Sequence, residues 1–207
     1  SNRSNPWSNR SNWWSNRSIG GLISIIDGPI GLIGGHIGLI GGMSWESTSS
    51  YYRAINQGVK QALGGFHSAK IAIVSVDFAE IQRLQQQGKW SETGNLLAAA
   101  ARQVEAAGGD FIVLCTNTMH KVAGQIEAAV CIPLLHIADA TASKLKNDNV
   151  SKVGLLGTKF TMEQDFYKGR LQNQHGIEVI VPNEVDQQWV HDVIYNELVQ
   201  GVISDQS

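Results

Sequence analysis

The residues with the clearest chemical potential form the run Cys115-Thr116-Asn117-Thr118, which continues the apolar segment FIVL. The run combines a thiol, two hydroxyls and a carboxamide. Three small polar residues directly after so apolar a segment are well suited to hydrogen bond a small zwitterion. A structural role is also open, because Asn117 or Thr118 could cap the helix predicted to follow. Capping and ligand binding are compatible at such a turn.

A second candidate is the glycine-rich turn Gly41-Gly42-Met43-Ser44, which ends the apolar segment IGLIGG. Such a turn in front of a helix exposes backbone N–H groups, which together with the helix dipole can hold a carboxylate or a phosphate. Its spacing, G-x-x-G-G, differs from the dinucleotide pattern GxGxxG, and GxxxxGK[ST] does not occur in the sequence. A tight turn that requires small residues is equally compatible.

Short apolar segments alternate with polar, helically periodic segments from position 37 onward. The predicted strands are 37–42, 70–76, 111–115, 132–136, 153–156 and 177–181. The predicted helices are 47–63, segments within 79–107, 119–129, 138–146, 162–174 and 187–200. Repeated βα units with apolar strands predict an α/β fold whose parallel sheets are covered on both faces.

The loops that follow the strands are the natural place for a site, because ligands of such sheets bind beyond the carboxyl ends of the strands. Four of these loops are rich in small or hydroxyl residues: Gly41-Gly42-Met43-Ser44, Ser75-Val76-Asp77, Thr116-Asn117-Thr118 and Gly157-Thr158. We therefore expect them to meet in one crevice.

The polar cluster Asn147-Asp148-Asn149 interrupts the alternation, and VGLLGT then repeats the pattern of IGLIGG. This predicts a first α/β domain over 37–147 and a second over 148–207. Two strands are too few for a sheet as large as the first, so we expect the second domain to be incomplete at Ser207. An open sheet edge would favour pairing with another copy, so a homodimer is one expected assembly.

Residues 1–36 are predicted to be a repeated extension outside the fold. The first 18 residues repeat a seven-residue Ser-Asn-Arg unit with Trp insertions, a composition typical of disorder, and IGLIGG occurs twice just after them. A secretory signal is disfavoured by the missing A-x-A-like site and initiator Met. Gly residues, Asp27, Pro29 and His36 interrupt the apolar stretch 19–42, which argues against a membrane span.

The charge balance and the cysteine count narrow the function class further. Sixteen Lys and Arg against 18 Asp and Glu leave a formal charge of −2, so nucleic acid and anionic membranes are not expected partners. Cys115 and Cys131 are too few for a disulfide framework or a structural zinc site, which indicates the cytoplasm. The six histidines lack metal-ligand spacing, so no metal is expected. His120, one helical turn after Thr116, could face the crevice.

Several motifs together resemble the aspartate/glutamate racemase family, from Ile37 to the end of the chain. They are GLIGGMSWEST (38–48), YYRAIN (51–56), LCTNTMHKVA (114–123), PLLHIADAT (133–141) and LLGTKFTMEQDFY (155–167). The likeness is strongest to the branch of broad-specificity and L-aspartate/glutamate-specific racemases. It implies a cofactor-independent isomerase with two pseudo-symmetric α/β domains and an amino acid held between them.

The resemblance also implies where the catalytic groups should lie. The family uses two bases on opposite faces of Cα, usually cysteines, the first of them in a C-N-T motif. Aligning Asn-Thr of this chain with that motif places Thr116 at the catalytic position and leaves Cys115 as a strand residue that points to the opposite side. The second cysteine normally lies in a GCTE-like motif, which does not occur before Ser207. We therefore expect negligible racemisation by these residues alone.

The substrate contacts implied by the resemblance are Met43, Gln85, Thr116, Asn117 and Thr118. Many relatives place an Arg after the second strand, whereas this chain offers Gln85, which would favour looser selection among polar amino acids. Two other functions stay open: a decarboxylase or lyase on the same fold, and a non-catalytic protein that binds an amino acid.

Overall fold

The computed structural model describes residues 35–205 and 207. Most of the predicted repeated extension, residues 1–34, therefore lies outside the described residues. His36 is described, and its backbone N–H donates to a carboxylate oxygen of Asp110 at 2.7 Å. The N–H of Asp110 donates in return to the carbonyl of His36 at 2.8 Å. None of the helices within the described part is long and apolar enough to cross a membrane.

The first structural unit is a four-stranded sheet in which every pairing is parallel. Its strands are β1 (Ile37–Gly41), β2 (Ile71–Ser75), β3 (Phe111–Leu114) and β4 (Leu134–Leu135). Its helices are α1 (Trp45–Leu63), α2 (Phe78–Gln86), α3 (Trp90–Ala106), α4 (Ala123–Glu127) and α5 (Ile137–Asn147). The strand order β2-β1-β3-β4 reverses direction beside β1. The carboxyl ends of β1 and β3 thus form a topological switch point, where open α/β sheets bind ligands.

The central strands bury both of their faces, as their uninterrupted apolar sequences predict. Leu39 and Val113 belong to an apolar cluster with residues of α1 and α5. Ile40 and Ile112, one position along each strand, belong to a second cluster with residues of α2, α3 and α4. Alternation along the strand therefore sends successive side chains to opposite helical layers. The predicted α/β class with parallel strands is confirmed.

The second structural unit is a parallel pair of strands with three helices. The strands are β5 (Lys152–Gly154) and β6 (Glu178–Ile180), and the helices are α6 (Lys159–Glu163), α7 (Lys168–His175) and α8 (Glu184–Asn196). Leu171 and Val179 of this unit lie in the same apolar cluster as Ile137 of the first. The two units therefore share buried apolar surface.

The predicted helix 162–174 is wrong as one continuous element. The helix α6 ends at Glu163, and the backbone of the next residue, Gln164, is extended, with φ −97° and ψ 153°. Three residues later Tyr167 is buried, and its hydroxyl lies 3.2 Å from that of Thr141 in α5. Burying this ring against the first unit takes the chain out of the helix before α7 begins.

Two further elements differ from the prediction near the carboxyl edge of the sheet. The strand predicted over 132–136 is only Leu134–Leu135, because Pro133 has no N–H for the ladder and His136 already caps α5. The helix predicted over 119–129 opens with a 3₁₀ turn, Thr118–Val122, and continues as α4.

Candidate active site

The turn after β1 is a tight turn that requires glycine. Gly42 has a φ of +95°, and a Cβ atom there would collide with the carbonyl oxygen of Val76. Its N–H donates to the hydroxyl of Thr48 at 2.9 Å, and that hydroxyl donates to the carbonyl of Ser44 at 2.9 Å. The Gly42 N–H therefore already has an internal partner, and the geometry of Gly42 fits the tight-turn interpretation of this motif.

The start of α1 also holds the turn after β3. The Ser47 hydroxyl donates to the carbonyl oxygen of Cys115 at 3.3 Å. Ser44 caps the helix by accepting from the Ser47 N–H at 3.3 Å. The loops after the two central strands are therefore linked by side chains of a single helical turn.

Cys115 lies in the protein core. Its side chain is 0% exposed, belongs to the apolar cluster that contains Tyr51 of α1, and has its Sγ 3.9 Å from the carbonyl oxygen of Val113. Burial raises the pKa of the Cys115 thiol well above its ordinary value. The thiol therefore stays protonated at neutral pH, and its packing agrees with a side chain that points away from the crevice.

Thr116 and Asn117 present unoccupied polar groups at the carboxyl edge of the sheet. Thr116 is half-buried and Asn117 is exposed. Within the described residues, neither the Thr116 hydroxyl nor the Asn117 carboxamide has a hydrogen-bond partner, and Asn117 makes no side-chain cap. The hydroxyl and the amide of two consecutive residues are thus free to meet a ligand.

His120 supports this turn from behind. It is 2% exposed, and its Nδ1 lies 2.8 Å from the carbonyl oxygen of Thr116. Its Nε2 accepts the N–H of Ile137, the first residue of α5, at 3.2 Å. Burial is the main cause that lowers the pKa of His120 to about 3, and the neighbouring His136 lowers it further. The ring is therefore neutral near pH 7 and connects the loops after β3 and β4.

Thr118 connects the turn to the second unit. Its hydroxyl lies 2.9 Å from that of Thr158, which lies 3.2 Å from the hydroxyl of Thr161. Thr158 also caps α6 by accepting from the N–H of Thr161. The loops after β3 and β5 thus meet through a buried chain of hydroxyls. The Thr118 hydroxyl contacts Thr158 and does not cap the helix that follows Thr118.

Met43 and Gln85 are buried at 5% and 4% exposure. Met43 packs in the apolar cluster with residues of α2 and α3. The Gln85 amide donates to the sulfur of Met119 at 2.8 Å, and its oxygen accepts from the Tyr195 hydroxyl at 3.0 Å. Both polar ends of Gln85 therefore have partners within the protein, whereas those of Thr116 and Asn117 do not.

A charged network that the sequence did not reveal joins α5 to α7. Arg170 donates two hydrogen bonds to the Asp139 carboxylate, at 2.6 and 2.7 Å, and His175 lies 2.8 Å from the same group. Burial alone would raise the pKa of Asp139, but the hydrogen bonds from Arg170 and His175 outweigh it and lower the pKa to about 2. Among the described residues, no group of three or more His, Cys, Asp or Glu side chains could hold a metal ion.

The chain is similar to known proteins over most of its described length. A family model described as Asp/Glu/hydantoin racemase matches residues 40–205. The broad-specificity amino-acid racemase RacX of Bacillus subtilis (strain 168) is 35% identical over 80 residues. That match covers 39% of this chain and 34% of RacX, so it spans about a third of the relative.

Solved structures agree in fold. A candidate Asp/Glu racemase from Yersinia pestis is 58% identical with a TM-score of 0.76, over 83% of this chain and 75% of that one. An aspartate racemase homologue from Pyrococcus horikoshii OT3 is 34% identical with a TM-score of 0.67, over 81% and 73%. The aspartate racemase of Picrophilus torridus, 19% identical with a TM-score of 0.61 over 78% and 74%, shares the fold.

Proposed function

We propose, on the premise that this chain belongs to the Asp/Glu/hydantoin racemase family, that it binds a polar amino acid at Thr116 and Asn117 and exchanges its Cα proton without a cofactor. The observation that carries the proposal is the pair of unoccupied polar groups on these two residues. They lie at the switch point between β1 and β3, where open α/β sheets bind ligands. No other side chain predicted to contact substrate keeps its polar group free within the described residues.

The proposed exchange removes the Cα proton and stabilises the resulting negative charge on the substrate carboxylate. The Asn117 carboxamide is the donor we assign to that carboxylate, since N–H donors aimed at developing charge lower the barrier. The Thr116 hydroxyl works as a relay: its oxygen takes the Cα proton while its own proton passes to a hydroxide ion of the solvent, and the reverse relay returns a solvent proton to the same face of Cα. An alcohol is a far weaker base than a thiolate, so this step is slow.

Conversion of the L to the D amino acid also needs a group on the opposite face of Cα. Cys115 is buried in the core, and Cys131 lies on the loop that leads into β4, at the amino edge of the sheet. We therefore propose exchange with retention of configuration by the described residues, and negligible racemisation. The free cysteines fit a cytoplasmic setting.

The proposed substrate class is polar amino acids without a strict preference for aspartate. Arg83 is exposed on α2, and Gln85 is held by Met119 and Tyr195, so we assign neither residue to a side-chain carboxylate of the substrate. RacX is described as having broad specificity. L-aspartate, L-glutamate and L-homoserine are suitable probes.

The test is loss of the Cα proton signal of each probe in D₂O, followed by NMR, with chiral chromatography for the D product. Thr116→Ala should lower the exchange rate about 10²-fold or more, and Thr116→Ser should retain it. Ser68→Ala removes an exposed hydroxyl at the opposite edge of the sheet and serves as the matched control. Binding of a probe without exchange of its Cα proton would indicate a non-catalytic binding protein. Equal exchange by Thr116→Ala and the unmodified protein would reject Thr116 as the base.

A further inference from the structure

The hydrogen bonds of His120 determine which of its ring nitrogens carries the proton. The Ile137 N–H can only donate, so the Nε2 atom 3.2 Å away must be the acceptor. In a neutral imidazole the proton then lies on Nδ1, which donates to the Thr116 carbonyl at 2.8 Å. The lowered pKa of the ring supports the neutral form. Both of its bonding positions are used, and the two partners come from different loops.

We infer that His120 is a positioning residue: its Nδ1–H tautomer fixes the carbonyl of Thr116 against the first residue of α5. The main chain of Thr116 then cannot rotate freely, so its hydroxyl and the neighbouring Asn117 amide keep their places at the sheet edge. A displacement of about 1 Å at a reacting group can cost about 10²-fold in rate. The effect on catalysis rests on the proposed function, whereas the tautomer and the clamp are properties of the turn.

The surroundings of His120 favour a fixed orientation of the ring. Its centroid lies 4.5 Å from that of His136, which is buried at 6% exposure. His136 in turn accepts the N–H of Ala138 at 3.2 Å through its own Nδ1 and so caps α5. Each histidine is therefore held by a backbone N–H of the same helical turn.

The tautomer is tested first, in the unmodified protein, by ¹⁵N NMR of its histidine rings at pH 7. The expected spectrum assigns a protonated Nδ1 and an unprotonated Nε2 to His120, the less common form for a free imidazole. The opposite tautomer, or a doubly protonated ring, would overturn the inference. This measurement needs neither substrate nor activity, so it stands even if the proposed function fails.

Two substitutions then separate positioning from folding. His120→Asn places an amide donor near the position of Nδ1 and should keep the hydrogen bond to the Thr116 carbonyl, whereas His120→Gln reaches the Nε2 position and should lose that hydrogen bond. Exposed His67→Asn is the control. For the folded protein we expect kcat for Cα exchange to fall about 10-fold in His120→Gln with KM within about threefold, and rescue in His120→Asn.

The carbonyl ¹³C shift of Thr116 reports the clamp without any chemistry. It should move in His120→Gln and stay near its original value in His120→Asn. Equal kcat values in His120→Gln and His120→Asn would contradict the positioning role. An unchanged Thr116 carbonyl ¹³C shift in His120→Gln would contradict it as well. If the unmodified protein exchanges no amino acid but the shift moves as expected, the clamp stands and only the proposed function is rejected.

Discussion

Acidification should destabilise the protein through His120. The pKa of this ring is about 3 in the folded protein, against an ordinary value of 6.5 in the unfolded chain. Between these values the unfolded state binds a proton that the folded state does not, so stability is full above pH 6.5 and falls as the pH falls toward 3. At pH 5, about 1.5 units below the unfolded value, the loss attributable to His120 is about 2 kcal/mol.

Other groups around the ring titrate in a different or overlapping range. Burial lowers the pKa of His136 to about 4, so it adds a loss of the same sign below pH 6.5. Asp139, with a pKa of about 2, contributes stability that is lost only as the pH falls below the ordinary aspartate pKa of 3.8. The loss of unfolding free energy between pH 6.5 and 5 therefore reports the protonation of the buried histidines.

The assay is urea unfolding from pH 7.5 to 5, followed by circular dichroism, for the unmodified protein, His120→Asn and the exposed control His67→Asn. The unfolding free energy of His120→Asn should lose about 2 kcal/mol less across this window than that of the unmodified protein, because the titrating group is gone. His67→Asn should follow the unmodified curve. Parallel curves for all three proteins would refute the assignment of a buried, neutral His120.

Three further outcomes follow from the geometry. Gly42→Ala should lower the unfolding free energy by about 2–4 kcal/mol in urea titrations, because the φ of +95° is strained for alanine and its Cβ lacks space. Thr118→Val and Thr158→Val should show a coupling of about 1 kcal/mol in a double-mutant cycle, and zero coupling would contradict their 2.9 Å contact. Tyr195→Phe should cost about 1–2 kcal/mol by leaving the buried Gln85 oxygen unpaired, and an unchanged melting curve would count against that bond.

The strands were predictable because their signal is local. Each is a short run of apolar residues. After β1, Gly42 itself indicates a tight turn. The position of Thr116 at the end of β3 follows from the same run. The prediction of element boundaries is wrong where a single side chain makes a tertiary contact. At Tyr167, burial of the ring divides a helix that the periodicity alone predicts to continue.

The contacts that hold the site were not predictable because their partners are far apart in the chain. Asp139 and Arg170 are 31 residues apart, and Thr118 and Thr158 are 40 apart. Gln85 meets a hydroxyl 110 residues downstream. The family resemblance assigned Gln85 to substrate, because many relatives place an Arg after the second strand. No local pattern shows that Tyr195 and Met119 already use its amide.

The same unit-to-unit contacts place a constraint on the site. The shared apolar cluster holds the two units together, but the hydrophobic effect that drives its burial is non-directional. Hydrogen bonds add directional contacts, and one of them is made by Thr118, two residues after Thr116 in the same turn. Thr116 therefore lies between two fixed points, its own carbonyl at His120 and the Thr118 hydroxyl at Thr158. Loosening either point should affect the Thr116 hydroxyl before it affects the core, because Thr116 is half-buried, whereas Leu39 and Ile40 are fully buried among residues of the surrounding helices.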